Sequence, residues 1–431
     1  METANTVVKP EPSKLYRWGV LVFVSLAMFG NYYVYDCISP LADLLARQLG
    51  FSDSNIGLLQ AIYSIPNVFM VLIGGIIIDR LGTRISTFIF SALCLIGAVV
   101  TASSSSLAVM ASGRLIFGLG AESLIVAITT IIGRWFKGKE LSFAFGLNLT
   151  IARLGSFAAL NSPSWGRAFF DNWQTPLLIS VAAGTISVAS VIIYILMDVK
   201  ASRNYALREV PKQDEIKFKE IFNFKPSFWF ITLLCVTFYS AIFPFQTFAV
   251  KFFMDTHGTT REFGGFLSSL LTLSAMVLTP LFGLLSDYIG KRSLLMMFGS
   301  LLIIPVYLLM AYTSINLVIP MAMMGISFSL VPAVMWPSVA IITDESRLGT
   351  AYGLMTMIQN IGLSGFNIII GRANDLSQGY TLGMWIFSSL GFFGLIFAYL
   401  LRKSELGRHG HGLEEGIRTK KTEAKAAEAN G

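Results

Sequence analysis

Two residues of opposite charge, Glu122 and Arg153, each lie about halfway along a long apolar run of this 431-residue chain. The first run reads RLIFGLGAESLIVAITTIIG and the second reads FAFGLNLTIARLGSFAAL. A charge at the centre of a membrane-spanning helix is costly, and it usually marks the path of a substrate or an ion. A structural ion pair between two neighbouring helices is the alternative interpretation.

The spacing predicts that both charges lie at nearly the same depth. At about 1.5 Å per residue, Glu122 is roughly 22 Å below the outer end of its span and Arg153 roughly 18 Å above the inner end. In a span of about 35 Å, these two depths nearly coincide. A zwitterion two residues long reaches about 7 Å between its ends. One carboxylate and one guanidinium at the same level could therefore hold it, because the planar guanidinium donates two parallel hydrogen bonds to a carboxylate.

The composition indicates a polytopic membrane protein, since 54% of the residues are hydrophobic and only 13% are charged. The net charge of +7 comes from bases clustered in short loops between apolar runs, which disfavours nucleic-acid binding. Twelve runs are long enough to cross a bilayer. They lie near residues 18–38, 55–78, 86–104, 107–132, 141–163, 174–197, 227–250, 263–286, 293–313, 315–342, 349–371 and 380–401.

Lys and Arg concentrate in the loops that follow the even-numbered spans, which predicts that both termini are cytoplasmic. The first run has no small-residue cleavage site, so we expect a retained span rather than a signal peptide. The predicted domains are a cytoplasmic N-terminus, a six-helix bundle, a cytoplasmic linker, a second six-helix bundle and a disordered cytoplasmic tail. Their limits are 1–17, 18–197, 198–226, 227–402 and 403–431.

The two halves of the chain repeat a short motif. GGIIIDRLGTR follows the second span, and FGLLSDYIGKR follows the eighth. Four residues match at an offset of 208: Gly75, Asp79, Gly82 and Arg84 correspond to Gly283, Asp287, Gly290 and Arg292. This repeat predicts two duplicated halves with an all-helical, pseudo-symmetric architecture.

The sequence shows no residue pattern typical of an enzyme active site, a metal site or a disulfide framework. Cys37, Cys94 and Cys235 fall in different apolar runs without CxxC spacing, and the histidines do not cluster. No Ser/His or paired-acid arrangement stands out. We therefore expect neither a cofactor nor a bound metal, and no enzymatic activity.

Further candidate binding residues are aromatic or polar. Tyr32 and Tyr33 lie in the first span, Trp336 lies between two prolines in the tenth, and Gln359 lies in the eleventh. Prolines break helices, and broken helices at mid-depth tend to line a cavity. Arg114 lies near the outer end of the fourth span, and its position is equally compatible with a role in helix packing and with a role in transport.

The repeated motif resembles the signature loop of the major facilitator superfamily, and Arg114 with Gly118 resembles that superfamily's fourth-helix signature. The resemblance implies twelve helices in two pseudo-symmetric six-helix bundles around a central cavity. Contacts of such charged loops can hold one conformation shut and release in another, so we assign the loops to gating. The gating candidates are Gly75, Asp79, Arg80, Gly82, Arg84, Asp287, Gly290, Arg292 and Arg114.

A closer resemblance rests on the segments NYYVYDC, FGLGAESLIVA, RWFKGKEL, LTIARLGS, MWPSVA and LGTAYGLMTMIQNIG. Together they are similar to the lysosomal dipeptide transporter family, that of major facilitator superfamily domain-containing protein 1. The resemblance implies facilitated diffusion of dipeptides. It also implies that Glu122 lies near the peptide amine and Arg153 near its carboxylate.

Two further features bear on location and mechanism. The N-terminus lacks the acidic dileucine signal of the animal members, so we favour a plasma membrane, such as a bacterial inner membrane, with the lysosomal membrane as the alternative. An accessory glycoprotein partner is expected only if the animal pattern holds. Glu122 is the only deep acid of the N-terminal half, and the C-terminal half has none at mid-membrane, which favours uniport. The alternatives are a proton-coupled symporter of small organic anions, bound by Arg153 and Arg114, and a membrane sensor or scaffold without flux.

Overall fold

A computed structural model describes residues 10–136, 140–206, 224–344, 347–407 and 410–416. In these ranges the chain is built from α-helices joined by short turns. They are α1 (Lys14–Asp36), α2 (Ala42–Leu49), α3 (Asp53–Ser103), α4 (Leu107–Phe136), α5 (Leu141–Leu160), α6 (Ser162–Trp165), α7 (Gln174–Asn204), α8 (Pro226–His257), α9 (Arg261–Ile289), α10 (Arg292–Tyr312), α11 (Val318–Ile342), α12 (Leu348–Ser377) and α13 (Thr381–Glu405).

Helix α3 accounts for two of the predicted spans. It runs for 51 residues and bends at Gly82, where the backbone leaves the helical region with φ 76° and ψ 165°. By length and composition, eleven of the described helical segments could cross a membrane, among them Ile73–Ser103 of α3. The first arm of α3, which begins at Asp53, corresponds to the second predicted span, and the all-helical architecture confirms the predicted fold class.

Several helices are longer than their apolar runs. Helix α7 continues to Asn204, so its last turns include the first residues that the sequence analysis placed in the linker. Helix α13 ends at Glu405, and residues 410–416 are also described, although the tail was expected to be disordered from residue 403. Residues 1–9, 137–139 of the RWFKGKEL segment, 207–223 of the linker and 417–431 of the tail lie outside the described residues.

The residues cluster into two compact units. Unit one comprises residues 1–35, 69–156 and 177–213, and unit two comprises residues 36–68, 157–176 and 214–431. Unit two thus combines two stretches from the first half of the sequence with the whole second half. The limits of the two six-helix bundles remain a prediction.

Small residues bring helices close together within unit one. A Cβ at Gly30 would overlap the Ala183 carbonyl of α7, and a Cβ at Gly97 would lie 2.7 Å from the Gly113 carbonyl of α4. Such close approach favours association of membrane helices, because dispersion contacts replace the hydrophobic driving force that lipid cannot supply.

Aromatic side chains fill much of the core of unit two. Phe245 of α8 packs edge-on against Tyr307 of α10 and Phe387 of α13, with ring centroids 5.4 and 5.9 Å apart. The Tyr307 hydroxyl donates a hydrogen bond of 2.7 Å to the Ala241 carbonyl, so its polar end is satisfied inside the core.

The repeated motif adopts a similar backbone in both copies. Gly82 has φ 76°, and Gly290, its counterpart 208 residues later, has φ 70°. Combined with the extended ψ values of 165° and −135°, this backbone geometry is almost restricted to glycine. The sequence repeat is therefore also a repeat of local structure.

Candidate functional site

Glu122 and Arg153 lie at similar distances from the connection that joins their helices. Helix α4 ends at Phe136 and helix α5 begins at Leu141. At about 1.5 Å per residue, Glu122 is roughly 21 Å and Arg153 roughly 18 Å from that connection. Both side chains are partly buried.

Helix α1 lies beside both charged residues. The Asn31 side-chain amide donates to the carbonyl of Ala121, the residue before Glu122, at 3.4 Å. The next residue of α1, Tyr32, lies under the guanidinium of Arg153, which is 5.6 Å from the ring centroid. This distance is within the range of a cation–π interaction. Helix α1 therefore contacts Arg153 of α5 through Tyr32 and contacts α4 at the residue before Glu122.

Further contacts fix α1 against α5. The Ser25 hydroxyl donates to the Asn148 side-chain oxygen at 3.1 Å. Gly155, two residues after Arg153, packs so closely on the Phe29 backbone that a Cβ would overlap the Phe29 carbonyl.

The predicted candidate Tyr33 is only 4% exposed and is buried within unit one.

Arg114 is almost fully buried, at 1% exposed, and its guanidinium binds the end of α1. Nη1 donates to the Val34 carbonyl at 3.0 Å, and Nη2 donates to the Tyr35 carbonyl at 3.3 Å. The guanidinium carbon also lies 5.1 Å from the ring centroid of Phe117. Arg114 thus serves the last carbonyls of a helix, which have no intrahelical partner.

In unit two, Trp336 is held by hydrogen bonds at both its ring and its backbone. Its indole N–H donates to the Tyr239 hydroxyl at 3.0 Å, and the Tyr352 hydroxyl donates to the Trp336 carbonyl at 3.0 Å. Gln359 accepts a contact of 3.6 Å from the Cys235 thiol. Trp336 lies about six residues, or roughly 9 Å, from the end of α11, so it is displaced from the middle of its helix.

The first signature loop is fixed by a carboxylate that the sequence analysis did not select. Asp198 of α7 has no exposed side-chain surface. Its carboxylate accepts from Arg84 Nε at 2.6 Å, from Arg134 Nη1 at 3.3 Å and from the Trp135 indole N–H at 3.2 Å. One buried acid therefore ties the loop to α4 and α7. Gly75 of this motif is buried, whereas Asp79 and Arg80 are exposed.

The second signature loop makes a local ion pair. Arg292 Nη2 donates to Asp287 Oδ1 at 2.8 Å. Arg292 itself is 8% exposed, whereas most of the Asp287 side chain is accessible. The two copies of the motif thus share a backbone but use different partners for the matching arginines.

A cluster of charged residues within unit two joins the start of α3 to α8 and α12. We call Asp53, Lys251, Asn374 and Asp375 the Asp53 cluster. Lys251 Nζ lies 2.5 Å from Asp53 Oδ1, and the Asn374 amide donates to Asp53 Oδ2 at 2.9 Å. The Asp375 carboxylate accepts from the backbone N–H of Asp53 at 2.8 Å and of Ser54 at 2.9 Å. Asp375 therefore caps the N-terminus of α3, where a negative charge is favourable.

A second ion pair and a cavity accompany this cluster. Arg261 of α9 donates from Nε to Asp43 Oδ1 of α2 at 3.1 Å. A cavity of about 540 Å³ is lined by Asp53, Lys251, Asp255 and Tyr380, among others. Burial raises the pKa of the Tyr380 phenol, with further contributions from nearby carboxylates, so this hydroxyl stays protonated and donates to Asp255 at 2.9 Å.

The connection between α4 and α5 carries a further ion pair. Glu140, which has a positive φ of 53°, lies 2.7 Å from Lys14 Nζ. The hydrogen bond from Lys14 lowers the pKa of the Glu140 carboxyl, and the charges of Lys14 and Arg17 lower it further. Because this carboxylate is exposed, its contribution to stability is small.

Sequence reasoning missed Asp198, the Asp53 cluster and the Asp43–Arg261 pair. All of them lie near the ends of helices, where a charge is most often solvated. Only the three-dimensional pairing of distant segments distinguishes them. A single acid that ends the apolar run of α7 was the one local signal for Asp198.

The chain belongs to the Major Facilitator Superfamily, whose family model matches residues 24–362 and 242–427. The membrane-spanning helices of the described residues and the repeated signature loop fit this superfamily. The protein is therefore a multi-pass membrane transporter.

Its similar relatives include the lysosomal dipeptide transporter MFSD1 of Homo sapiens, with 33% identity over 92% of this chain and 89% of the relative. The corresponding protein of Danio rerio is 33% identical over 85% of this chain and 82% of the relative. A hexuronate transporter of Bacillus subtilis is more distant, with 22% identity over 86% of this chain and 92% of the relative.

Solved structures agree on the fold. The nucleoside transporter NupG has a TM-score of 0.73 and 16% identity, covering 89% of this chain and 99% of that chain. A bacterial homologue of the human lysosomal transporter Spinster, in an inward-facing and unoccupied conformation, has a TM-score of 0.71 and 19% identity. It covers 91% of this chain and 98% of that chain.

Proposed function

We propose that the protein moves dipeptides, or similar small zwitterions, across the membrane by alternating access, as a uniporter. The observation that carries this proposal is the similar distance of Glu122 and Arg153 from the connection between α4 and α5, with Tyr32 of α1 against Arg153. The relatives named as lysosomal dipeptide transporters support the substrate class.

In the proposed complex the two charges hold the two ends of the peptide. Glu122 accepts hydrogen bonds from the peptide ammonium, and Arg153 donates to the peptide carboxylate in a bidentate manner. Tyr32 restrains the guanidinium by its cation–π contact. Recognition of the ends leaves the peptide side chains free to vary. Tyr33, Trp336 and Gln359 complete the proposed set of binding residues.

The proposed gates lie at both the outer and the inner ends of the helices. If both termini are cytoplasmic, as the loop charges predict, then α3 starts on the outer side and the signature loops lie on the inner side. The Asp53 cluster and the Asp43–Arg261 pair then close the outer side, because they hold helix ends from the first half of the sequence against those of the second. Opening on that side requires these contacts to break. Together with the loop residues listed above, they form the proposed gates.

The organic-anion alternative has less support than peptide transport. It needs Arg114 as part of an anion site, but that guanidinium donates to two carbonyls of α1. Proton coupling through Glu122 is the remaining alternative, since this carboxylate could carry a proton. We favour a plasma membrane over a lysosomal one, and an accessory glycoprotein is proposed only for the lysosomal case.

Counterflow of a labelled dipeptide into reconstituted vesicles tests the proposal. Glu122→Gln and Arg153→Lys should each reduce exchange about tenfold or more, because a charge-assisted hydrogen bond contributes about 1.5–3 kcal/mol. Unlabelled peptides that lack one charge should compete poorly. We expect weak competition both from an N-acetylated dipeptide and from a dipeptide amide.

Glu140→Gln is the matched control, because it removes a carboxylate at the nearby helix connection that pairs with Lys14 rather than with substrate. It should exchange peptide as the unmodified protein does. Normal exchange by both site variants would refute the assigned roles. Absence of flux despite peptide binding would instead favour the sensor interpretation.

A further inference from the structure

Residues 410–416 lie against the inner ends of α8, α10 and α13, as oriented by the proposed function. Leu413 has no exposed surface, although the sequence around it is polar. We call residues 410–416 the C-terminal strap. Each of its contacts described below lies within unit two.

The start of the strap is fixed by Glu405 at the end of α13. The Glu405 carboxylate accepts from the His411 backbone N–H at 2.8 Å and lies 2.9 Å from His411 Nδ1. It also accepts from the Ser227 hydroxyl of α8 at 2.5 Å. Lys225, just before α8, lies 2.9 Å from the other ring nitrogen of His411. The strap thus connects the last turn of α13 to the first turn of α8.

The middle of the strap caps helix α10. The Glu414 carboxylate accepts from the backbone N–H of Ser293 at 3.1 Å, and its carbonyl accepts from the N–H of Lys291 at 2.9 Å. Its other carboxylate oxygen lies 3.7 Å from Arg402 of α13. These N–H groups have no intrahelical partner at a helix start, so Glu414 satisfies donors that would otherwise need water.

The end of the strap lies directly on the second signature loop. A Cβ at Gly290 would be 2.5 Å from the Glu414 carbonyl, and a Cβ at Gly416 would overlap the Gly290 backbone. The Glu415 carbonyl accepts from Arg292 Nη1 at 3.2 Å, while the same guanidinium binds Asp287. The strap therefore contacts the motif that the proposed function assigns to gating.

We propose that the C-terminal strap is an autoinhibitory element, which holds the loop between α9 and α10 in its present conformation and slows the transport cycle. This inference rests on the gating role in the proposed function. Contacts made in only one conformation favour that conformation by their full free energy. To leave its present conformation, the loop must first lose its contacts with Glu414 and Glu415.

Two variants disrupt the contacts of the strap by independent means. A chain that ends at Gly407 lacks it, and Gly416→Ala prevents its close approach to Gly290 without altering charge. A chain that ends at Ile417 retains it and is the control. We expect severalfold faster dipeptide counterflow for the first two variants, with half-saturation unchanged, and the rate of the unmodified protein for the control. Equal or slower counterflow in well-folded, monodisperse variants would overturn the proposal.

Hydrogen–deuterium exchange separates this inference from the choice of substrate. The amides of Lys291 and Ser293 should exchange at least tenfold faster in the shortened chain and in Gly416→Ala, because both donate to Glu414 in the intact protein. If the unmodified protein moves no dipeptide, the proposed substrate fails, and exchange at these amides still reports on the strap. Unchanged exchange would show that the strap does not hold the loop.

Discussion

Arg114 is a buried charge with structural contacts that its sequence position does not reveal. A sequence alone reveals an arginine near the outer end of a span, but not the carbonyls that it meets. In the structure its guanidinium serves the Val34 and Tyr35 carbonyls, which close the last turn of α1. That turn directly follows Tyr32 of the candidate site.

Arg114→Met should lower the free energy of unfolding by about 2 kcal/mol, since it leaves the buried Val34 carbonyl and the part-buried Tyr35 carbonyl without a charged donor. The readout is thermal unfolding in detergent. Arg203→Met, at an exposed position of α7, should change the melting temperature little. Equal melting temperatures for the two variants would show that the Arg114 contacts contribute no net stability.

The residues that sequence reasoning could find share one property. Glu122 and Arg153 interrupt apolar runs, so their cost in a membrane makes them conspicuous. Asp198 and Asp53 are more deeply buried, at 0% and 6% exposed, but they lie where apolar runs begin or end. Their partners are distant in sequence. Burial of this kind follows from tertiary packing and leaves no periodic pattern.

At the level of helices, the sequence predicted which segments cross but not where each one ends. The bend of α3 at Gly82 was predictable, because the motif repeats and the bend needs glycine. The extension of α7 to Asn204 was not, since polar residues can continue a helix once its apolar part is anchored. Trp336 was expected at mid-depth on account of its flanking prolines, and it lies nearer the end of α11.

The Asp53 cluster makes a prediction about the start of α3. Asp53→Asn removes the ion pair with Lys251 and should weaken the hold of α8 and α12 on α3 by at least about 1 kcal/mol. The distance between spin labels at positions 55 and 376 should then show a longer, second population. Unmodified protein should show mainly the short distance.

Asp255→Asn is the matched control for this prediction. Asp255 lies 3.7 Å from the same lysine, but its other contact is the Tyr380 hydroxyl rather than α3. Removing it should leave the label distances unchanged. If both variants, or neither, lengthen the distance, then the cluster is not a specific lock on α3.

For the whole molecule, the main prediction concerns whether substrate transport is coupled to proton transport. A uniporter equilibrates its substrate, whereas a symporter of a neutral zwitterion with one proton accumulates it about tenfold per unit of pH difference. We expect a dipeptide to reach equal concentrations on both sides of vesicles with an imposed pH gradient. A protonophore should not change the final level. Accumulation that follows the gradient, and is absent from protein-free vesicles, would assign a proton-carrying role to Glu122.

The composition of unit two has a consequence for biogenesis. Within unit two, residues 36–68 and 157–176 cluster with the described residues of the second half of the chain. During synthesis from the N-terminus, these two stretches enter the membrane well before their partners have left the ribosome. These two stretches must therefore remain inserted but incompletely packed until the second half of the chain has been synthesised.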